Sequence, residues 1–210
     1  MKKLVLISLT IILSLGACQF AQPNQATPTE PVMPSGMERY QGQGMSIMLP
    51  ASFVERNVQD DLPSIVDIIK RFTGGDDGLL STLLENVNQN VAWWGWDSET
   101  LEENPLRLLV IKNKALHALP LTTTAFGLER ILNNEETKVE QATVHLGGRS
   151  VLRFKYSKDD IAWVAYAFKE QGYLWVNLFM FTPEGMIGAS DFFEDSIGTI
   201  MIDVVENDAE

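Results

Sequence analysis

Three tryptophans lie within four residues, Trp93, Trp94 and Trp96, and the acids Asp97 and Glu99 follow them. In this 210-residue chain they are the densest group of side chains able to do chemistry. On an extended segment successive side chains point to opposite faces, so Trp94 and Trp96 share one side and Trp93 takes the other. Two readings stand side by side. Indole rings bury large areas and fill cores. They also form ledges for a partner or small ligand, with Asp97 and Glu99 here as the polar rim. The same acids could serve an envelope hydrolase if they converged with others. Elsewhere candidates are sparse. A zinc site needs more ligands than the two histidines, His117 and His145, and scattered carboxylates supply. His145 has the opposite strand phase to Val144 and Leu146 and is expected exposed, whereas His117 is expected in a solvated loop. No Gly-x-Ser-x-Gly elbow is present, and Ser46 and Ser157-Lys158 have no evident base. The pairs Asp60-Asp61, Glu135-Glu136 and Asp159-Asp160 fall in turn-like segments as solvent-facing acids. No catalytic residue, metal or cofactor is assigned, and the chain is read as non-catalytic.

The one cysteine has a distinctive setting. Lys2 and Lys3 precede an apolar run over 4–15, interrupted by Ser8, Thr10 and Ser14, and Leu15-Gly16-Ala17-Cys18 closes it. A transmembrane helix needs about 20 residues, so the run fits a secretory signal instead. Leu15 to Cys18 resemble a bacterial lipobox, which implies cleavage before Cys18 and a diacylglycerol on its thiol. Two or three acyl chains anchor stably, since each buried methylene contributes about 0.8 kcal/mol. With Cys18 lipidated, the rest of the chain has no disulfide or thiol nucleophile. Losing Lys2 and Lys3 takes the formal charge from −12 to −14. Such acidity disfavours nucleic acid and anionic lipid, leaving the acyl chains as the expected membrane contact. Gln19, rather than Asp, is compatible with sorting to an outer membrane where one exists.

The remaining chain divides by composition. Pro23, Pro28, Pro31 and Pro34, with interspersed Gln and Thr, mark a disordered tether. The expected organisation is a signal over 1–17, the lipidated cysteine and tether over 18–38, one domain over 39–206 and a tail over 207–210. Within the domain, 45–50 reads as a strand ended by Pro50. Leu62, Ile65, Ile69 and Phe72 recur at helical spacing, with Pro63 suited to a first turn. A second helix is expected over 79–87, strands over 91–96 and 106–111, and a helix over 125–132 capped by Thr122, Thr123 or Thr124. Four strands follow, over 138–146, 150–156, 161–169 and 173–181. Their short connections make them antiparallel neighbours. The third and fourth are apolar on both faces, so both faces should be covered. Trp163 and Trp175 should then be buried. A last helix is expected over 187–204. The fold class is α+β: an antiparallel sheet of about six strands with helices on both faces, an α/β/α sandwich.

Two resemblances bear on function. Arg71-Phe72-Thr73-Gly74-Gly75-Asp76-Asp77 is similar to the Arg-x-Gly-Gly-Asp-Glu-Phe signature of diguanylate cyclases. It carries one extra residue, lacks the final aromatic and lies between helical patterns. The glycines are better read as ending one helix, with Asp76 and Asp77 opening the next. A calcium loop would need a second set of oxygen ligands. The element order, with Gly-x-Ser-Ile-x-Leu-Pro at 44–50 and Phe-Phe-x-x-Ser-Ile at 192–197, resembles the PsbP-like group. That group includes the Ran-binding Mog proteins and many bacterial lipoproteins. The resemblance covers about 39–206, apart from the helical insertion between Phe53 and Val91. It implies a binding or assembly role and carries over no site residue; with the lipobox-like segment, that role is expected at the outer side of a bacterial membrane, with an unknown envelope protein or small ligand as partner. A small-ligand carrier with an enclosed apolar cavity remains the further alternative.

Overall fold

Residues 161–181 decide the architecture, because strands apolar on both sides need cover on both sides. The computed structural model describes residues 36–73, 78, 81, 84, 86–100, 105–132, 138–158, 160–182 and 189–204. These lie in one compact unit spanning 33–210. The main sheet is made of β3 (Phe53–Glu55), β4 (Val91–Asp97), β5 (Arg107–Asn113), β6 (Glu140–Leu146), β7 (Arg149–Lys158), β8 (Ile161–Glu170) and β9 (Tyr173–Phe181). Its order is β3-β4-β5-β9-β8-β7-β6, and every neighbouring pair is antiparallel. A second sheet joins β1 (Met37–Gly42), β2 (Met45–Pro50) and β10 (Met201–Ile202) in the order β1-β2-β10.

One face of the main sheet is covered by α1 (Leu62–Phe72). Its Ile65, Ile68, Ile69 and Phe72 are buried at i, i+3, i+4 and i+7, the apolar stripe that sits a helix on a core. Pro63 occupies the first turn, where its missing N–H costs no hydrogen bond, and Lys70 and Arg71 lie at the negative end of the dipole. Ala125 of α4 (Leu121–Leu132) packs on the same core. The opposite face is covered by β2, through Met45, Ile47 and Leu49, and by Phe193 and Ile197 of α5 (Ala189–Gly198). Two short helices, α2 (Val87–Asn90) and α3 (Lys114–His117), lead into β4 and out of β5. The arrangement is the expected α+β one, with seven strands in the main sheet. Trp163 and Trp175 are each 2% exposed, on opposite faces.

A bulge in β4 sorts its crowded aromatic run. Val91 pairs with Ile111 and Trp93 with Val110, leaving Ala92 as the extra residue. Ala92 and Trp93 therefore both enter the core beneath the small sheet, while Val91 and Trp94 face α1. The Gln43 N–H takes up the Ala92 carbonyl at 2.8 Å, tying the β1–β2 turn to the bulge. Two residues on, a Cβ at Gly95 would strike the Val54 carbonyl and the Trp93 ring, so glycine there lets β3 close on β4.

Three expected elements differ. The helix expected over 125–132 begins at Leu121, so Thr122, Thr123 and Thr124 lie inside it rather than capping it. Thr124 instead donates its hydroxyl back to the Pro120 carbonyl, 3.3 Å away. The helix expected over 187–204 ends at Gly198. The Thr199 hydroxyl donates to the Ser196 carbonyl at 2.6 Å and accepts from the Met48 N–H at 2.9 Å. That arrangement turns the chain into β10, which pairs with β2, and leaves Val204 exposed. The helix expected over 79–87 falls largely outside the described residues; Val87 opens α2. Gly74 to Asp77, the signal over 1–17, Cys18, the tether up to Ser35, Glu135-Glu136, Asp159 and the tail over 207–210 also lie outside them.

Candidate functional site

Sheet register builds the site's floor. Trp96 of β4 pairs with Arg107 of β5, which pairs with Met180 of β9, which pairs with Trp163 of β8, which pairs with Tyr156 of β7. Side chains at directly paired positions share a face. One row of Trp, Arg, Met, Trp and Tyr thus crosses five strands on the side covered by α1. Tyr156 and Trp163 stack with centroids 5.8 Å apart and planes 2° from parallel. Trp94 and Trp96, two residues apart on β4, meet edge to face at 6.2 Å.

The start of α1 forms the wall. Asp61 stands at the helix N-cap, yet its side chain makes no capping bond. The carboxylate turns to the sheet. Its Oδ2 accepts from the Trp94 indole Nε1 at 3.0 Å and from the Arg56 Nε at 3.3 Å. The Arg56 guanidinium lies 4.6 Å from the Trp96 ring centroid, within cation–π range. Two cavities open between wall and floor. One of about 460 Å³ is lined by Asp61, Ser64, Trp94, Trp96, Asp97, Ser98, Thr100, Pro105 and Arg107. The other, of about 200 Å³, is bounded by Asp67, Ile68, Arg71, Pro105, Arg107, Ile161, Trp163, Met180, Phe181 and Thr182. They meet at Pro105 and Arg107, giving one groove along α1.

Arg107 is the electrostatic centre of this groove. Partial burial, with Arg71 nearby, holds its guanidinium below the usual arginine range. The group stays charged at neutral pH. Among the described residues none pairs with it. The neighbouring arginines are matched: Arg71 with Asp67 at 2.8 Å, and Arg56 with Asp61.

The expected site residues separate. Trp94 is 2% exposed and belongs to the core, with only its edge at the groove. Trp96 is half-buried and faces the groove between Arg56 and Arg107. Asp97 lines the cavity, and its Oδ1 accepts from the Glu99 N–H at 3.0 Å. Glu99 is exposed and is not among the lining residues. Asp61, expected as an ordinary turn acid, instead holds a buried indole. His145 is exposed, with Nε2 3.3 Å from Ser150 Oγ, and His117 ends α3 half-buried. Sequence reasoning missed Asp61, Ser64, Arg71 and Arg107. A signal existed for Arg107, a cation opening an apolar strand, and for Asp61, an acid just ahead of a proline-started helix. Among the described residues no group of three or more His, Cys, Asp or Glu could hold a metal. No helix among them is long and apolar enough to cross a membrane.

Comparison with solved structures gives the fold its parallel. Cyanobacterial PsbP (CyanoP) from Synechocystis sp. PCC 6803 superposes with a TM-score of 0.51 at 10% identity, covering 82% of this chain and 95% of that one. The fold is PsbP-like. LpqN, involved in cell envelope biogenesis of Mycobacterium tuberculosis, aligns with a TM-score of 0.43 at 11% identity, over 80% of this chain and 91% of its own. A Pseudomonas aeruginosa protein of unknown function, PA94, aligns at 0.40 and 7% identity, over 78% and 94%. No protein-family model and no curated protein matches the sequence. At 10% identity the likeness to CyanoP shows the fold and not an activity.

Proposed function

We propose that this chain is a lipid-anchored, extracytoplasmic binding protein, and that its PsbP-like domain takes a partner in the groove between α1 and the Trp96–Arg107 row. The anchor rests on the sequence around Cys18. The carrying observation for the site is Trp96, half-buried in an open cavity of about 460 Å³, with Arg56 on its ring and Arg107 beside it. Aromatic and arginine side chains in such a setting are the ones that dominate binding energies. A hydrolase reading is weaker, because Glu99 stands outside the groove and Asp61 is occupied by Arg56 and the Trp94 indole.

Crosslinking in intact cells, followed by comparison of captured partners between wild type and Trp96→Ala, tests the site. Capture should fall at least about tenfold in the variant, as for a typical hot spot, while melting shifts by only a few degrees. Full capture by a folded Trp96→Ala protein refutes the groove. In parallel, Cys18→Ala should move the protein from the detergent phase to the aqueous phase. Continued membrane partitioning would remove the anchor from the proposal.

A further inference from the structure

Among the described residues two charges lining the groove form no ion pair, Arg107 and Asp97, and the Asp97 carboxylate is met by the Glu99 N–H at 3.0 Å. Arg56 is matched by Asp61 and Arg71 by Asp67, but Arg107 has no acceptor among the described residues. A partly desolvated cation without a partner is unfavourable. The chain has 28 acidic side chains against 16 basic ones, so its composition does not limit the supply of carboxylates. Arg107 is the charged residue that both cavities share, and its cross-strand neighbours are Trp96 and Met180. A guanidinium presents a planar fork of donors that matches a carboxylate.

We propose that Arg107 receives the carboxylate of a small organic monoanion whose flat apolar body lies against Trp96. The proposal rests on the groove being the binding site and names the ligand's chemistry. Size fits, since sites for small ligands commonly span roughly 300–1,000 Å³ and the larger cavity holds about 460 Å³. Charge argues for one negative unit rather than two. Asp61, Asp67 and Asp97 line the same cavities, and a second ligand charge would face them with no cation left to meet it. Trp96 and Pro105, with the edge of Trp94, supply the apolar surface.

The test uses the full chain in nanodiscs of zwitterionic lipid, with empty discs as blanks. The probes are 1-naphthoate and its uncharged amide, 1-naphthamide, followed through the indole N–H resonances. Naphthoate should shift the Trp96 resonance saturably and bind about tenfold or more tightly than the amide, as a charge-assisted contact does. The acid-to-amide ratio should fall to about one in Arg107→Met and be partly retained in Arg107→Lys, a difference that loss of packing alone does not produce. Should Arg107→Met fail to fold, the ratio in the wild type still decides. Equal affinities in the wild type overturn the proposal and leave the groove reading standing. An unchanged ratio in folded Arg107→Met, or no saturable shift with either probe up to its solubility, overturns it as well. So does displacement of naphthoate by inorganic phosphate more effectively than by acetate. The groove reading fails separately, through undiminished partner capture by Trp96→Ala.

Discussion

Replacing Asp61 with alanine tests the link between wall and floor of the groove. The variant removes the acceptor of the Trp94 indole, a 3.0 Å bond to an ionised group. Trp94 is 2% exposed, so its N–H has little access to replacement water. Orphaning a buried donor costs about 1–3 kcal/mol. The Asp61 side chain is itself 18% exposed, so water can partly reach the site it vacates and the upper end of that range does not apply. Loss of the Arg56 ion pair adds little, because Arg56 is 42% exposed and such pairs contribute about 0–1 kcal/mol. No capping bond is lost, since the Asp61 side chain makes none. The expected destabilisation is about 1.5–2.5 kcal/mol, which for a domain of this size lowers the melting temperature by roughly 3–10 °C. Urea unfolding followed by tryptophan fluorescence measures it, with an unchanged slope as the check on two-state behaviour. The Arg56→Ala control should cost about 1 kcal/mol, combining an exposed ion pair and a cation–π contact. A cycle of Asp61→Ala and Trp94→Phe should return a coupling of about 1–2 kcal/mol. An Asp61→Ala protein within about 0.5 kcal/mol of wild type, or a coupling near zero, refutes the claim that this carboxylate anchors the indole.

Two other outcomes follow from the core. Trp163→Ala removes a ring stacked on Tyr156 and should cost about 3–5 kcal/mol by denaturant unfolding, whereas a loss near zero would mean that α1 does not close this face. Burial pushes the phenols of Tyr156 and Tyr166 well above the ordinary tyrosine range, and neither hydroxyl has a hydrogen-bond partner among the described residues. A raised folded-state value favours the neutral form, so these groups contribute stability below the unfolded pKa near 10 that is lost as pH rises beyond it. Phenolate absorbance at alkaline pH should therefore rise cooperatively with unfolding for these two. Tyr156→Phe should leave neutral-pH stability unchanged or raised, and a loss above about 1 kcal/mol would show that the hydroxyl has a partner.

Much of the fold was legible because it rests on local periodicity. The i, i+3, i+4, i+7 stripe of α1 and the two-sided apolar strands β8 and β9 specify element type, and short glycine turns specify antiparallel neighbours. Helix ends were less legible. Thr122 to Thr124 have capping chemistry, but Thr124 satisfies its hydroxyl on a carbonyl inside the helix, and the strand partner of Met201 and Ile202 lies more than 150 residues away in β2. The candidate site was half legible. The alternation rule correctly put Trp94 and Trp96 on one face, yet it carries no information on which of them a helix will cover.

By itself, then, the sequence determined the antiparallel α+β class, the two apolar sheet faces, the acidity and the lipobox-like segment at Cys18. These follow from residue type and from spacing within one element. Only the tertiary structure decided that Trp94 is core and Trp96 faces a groove, that Asp61 is the acceptor of a buried indole, and that Arg107 pairs with Trp96 across the strands and has no matching acid among the described residues. Those properties depend on which strand lies beside which and where α1 crosses them. Sheet order and helix placement arise from contacts between residues far apart in the chain, and local periodicity leaves them undetermined.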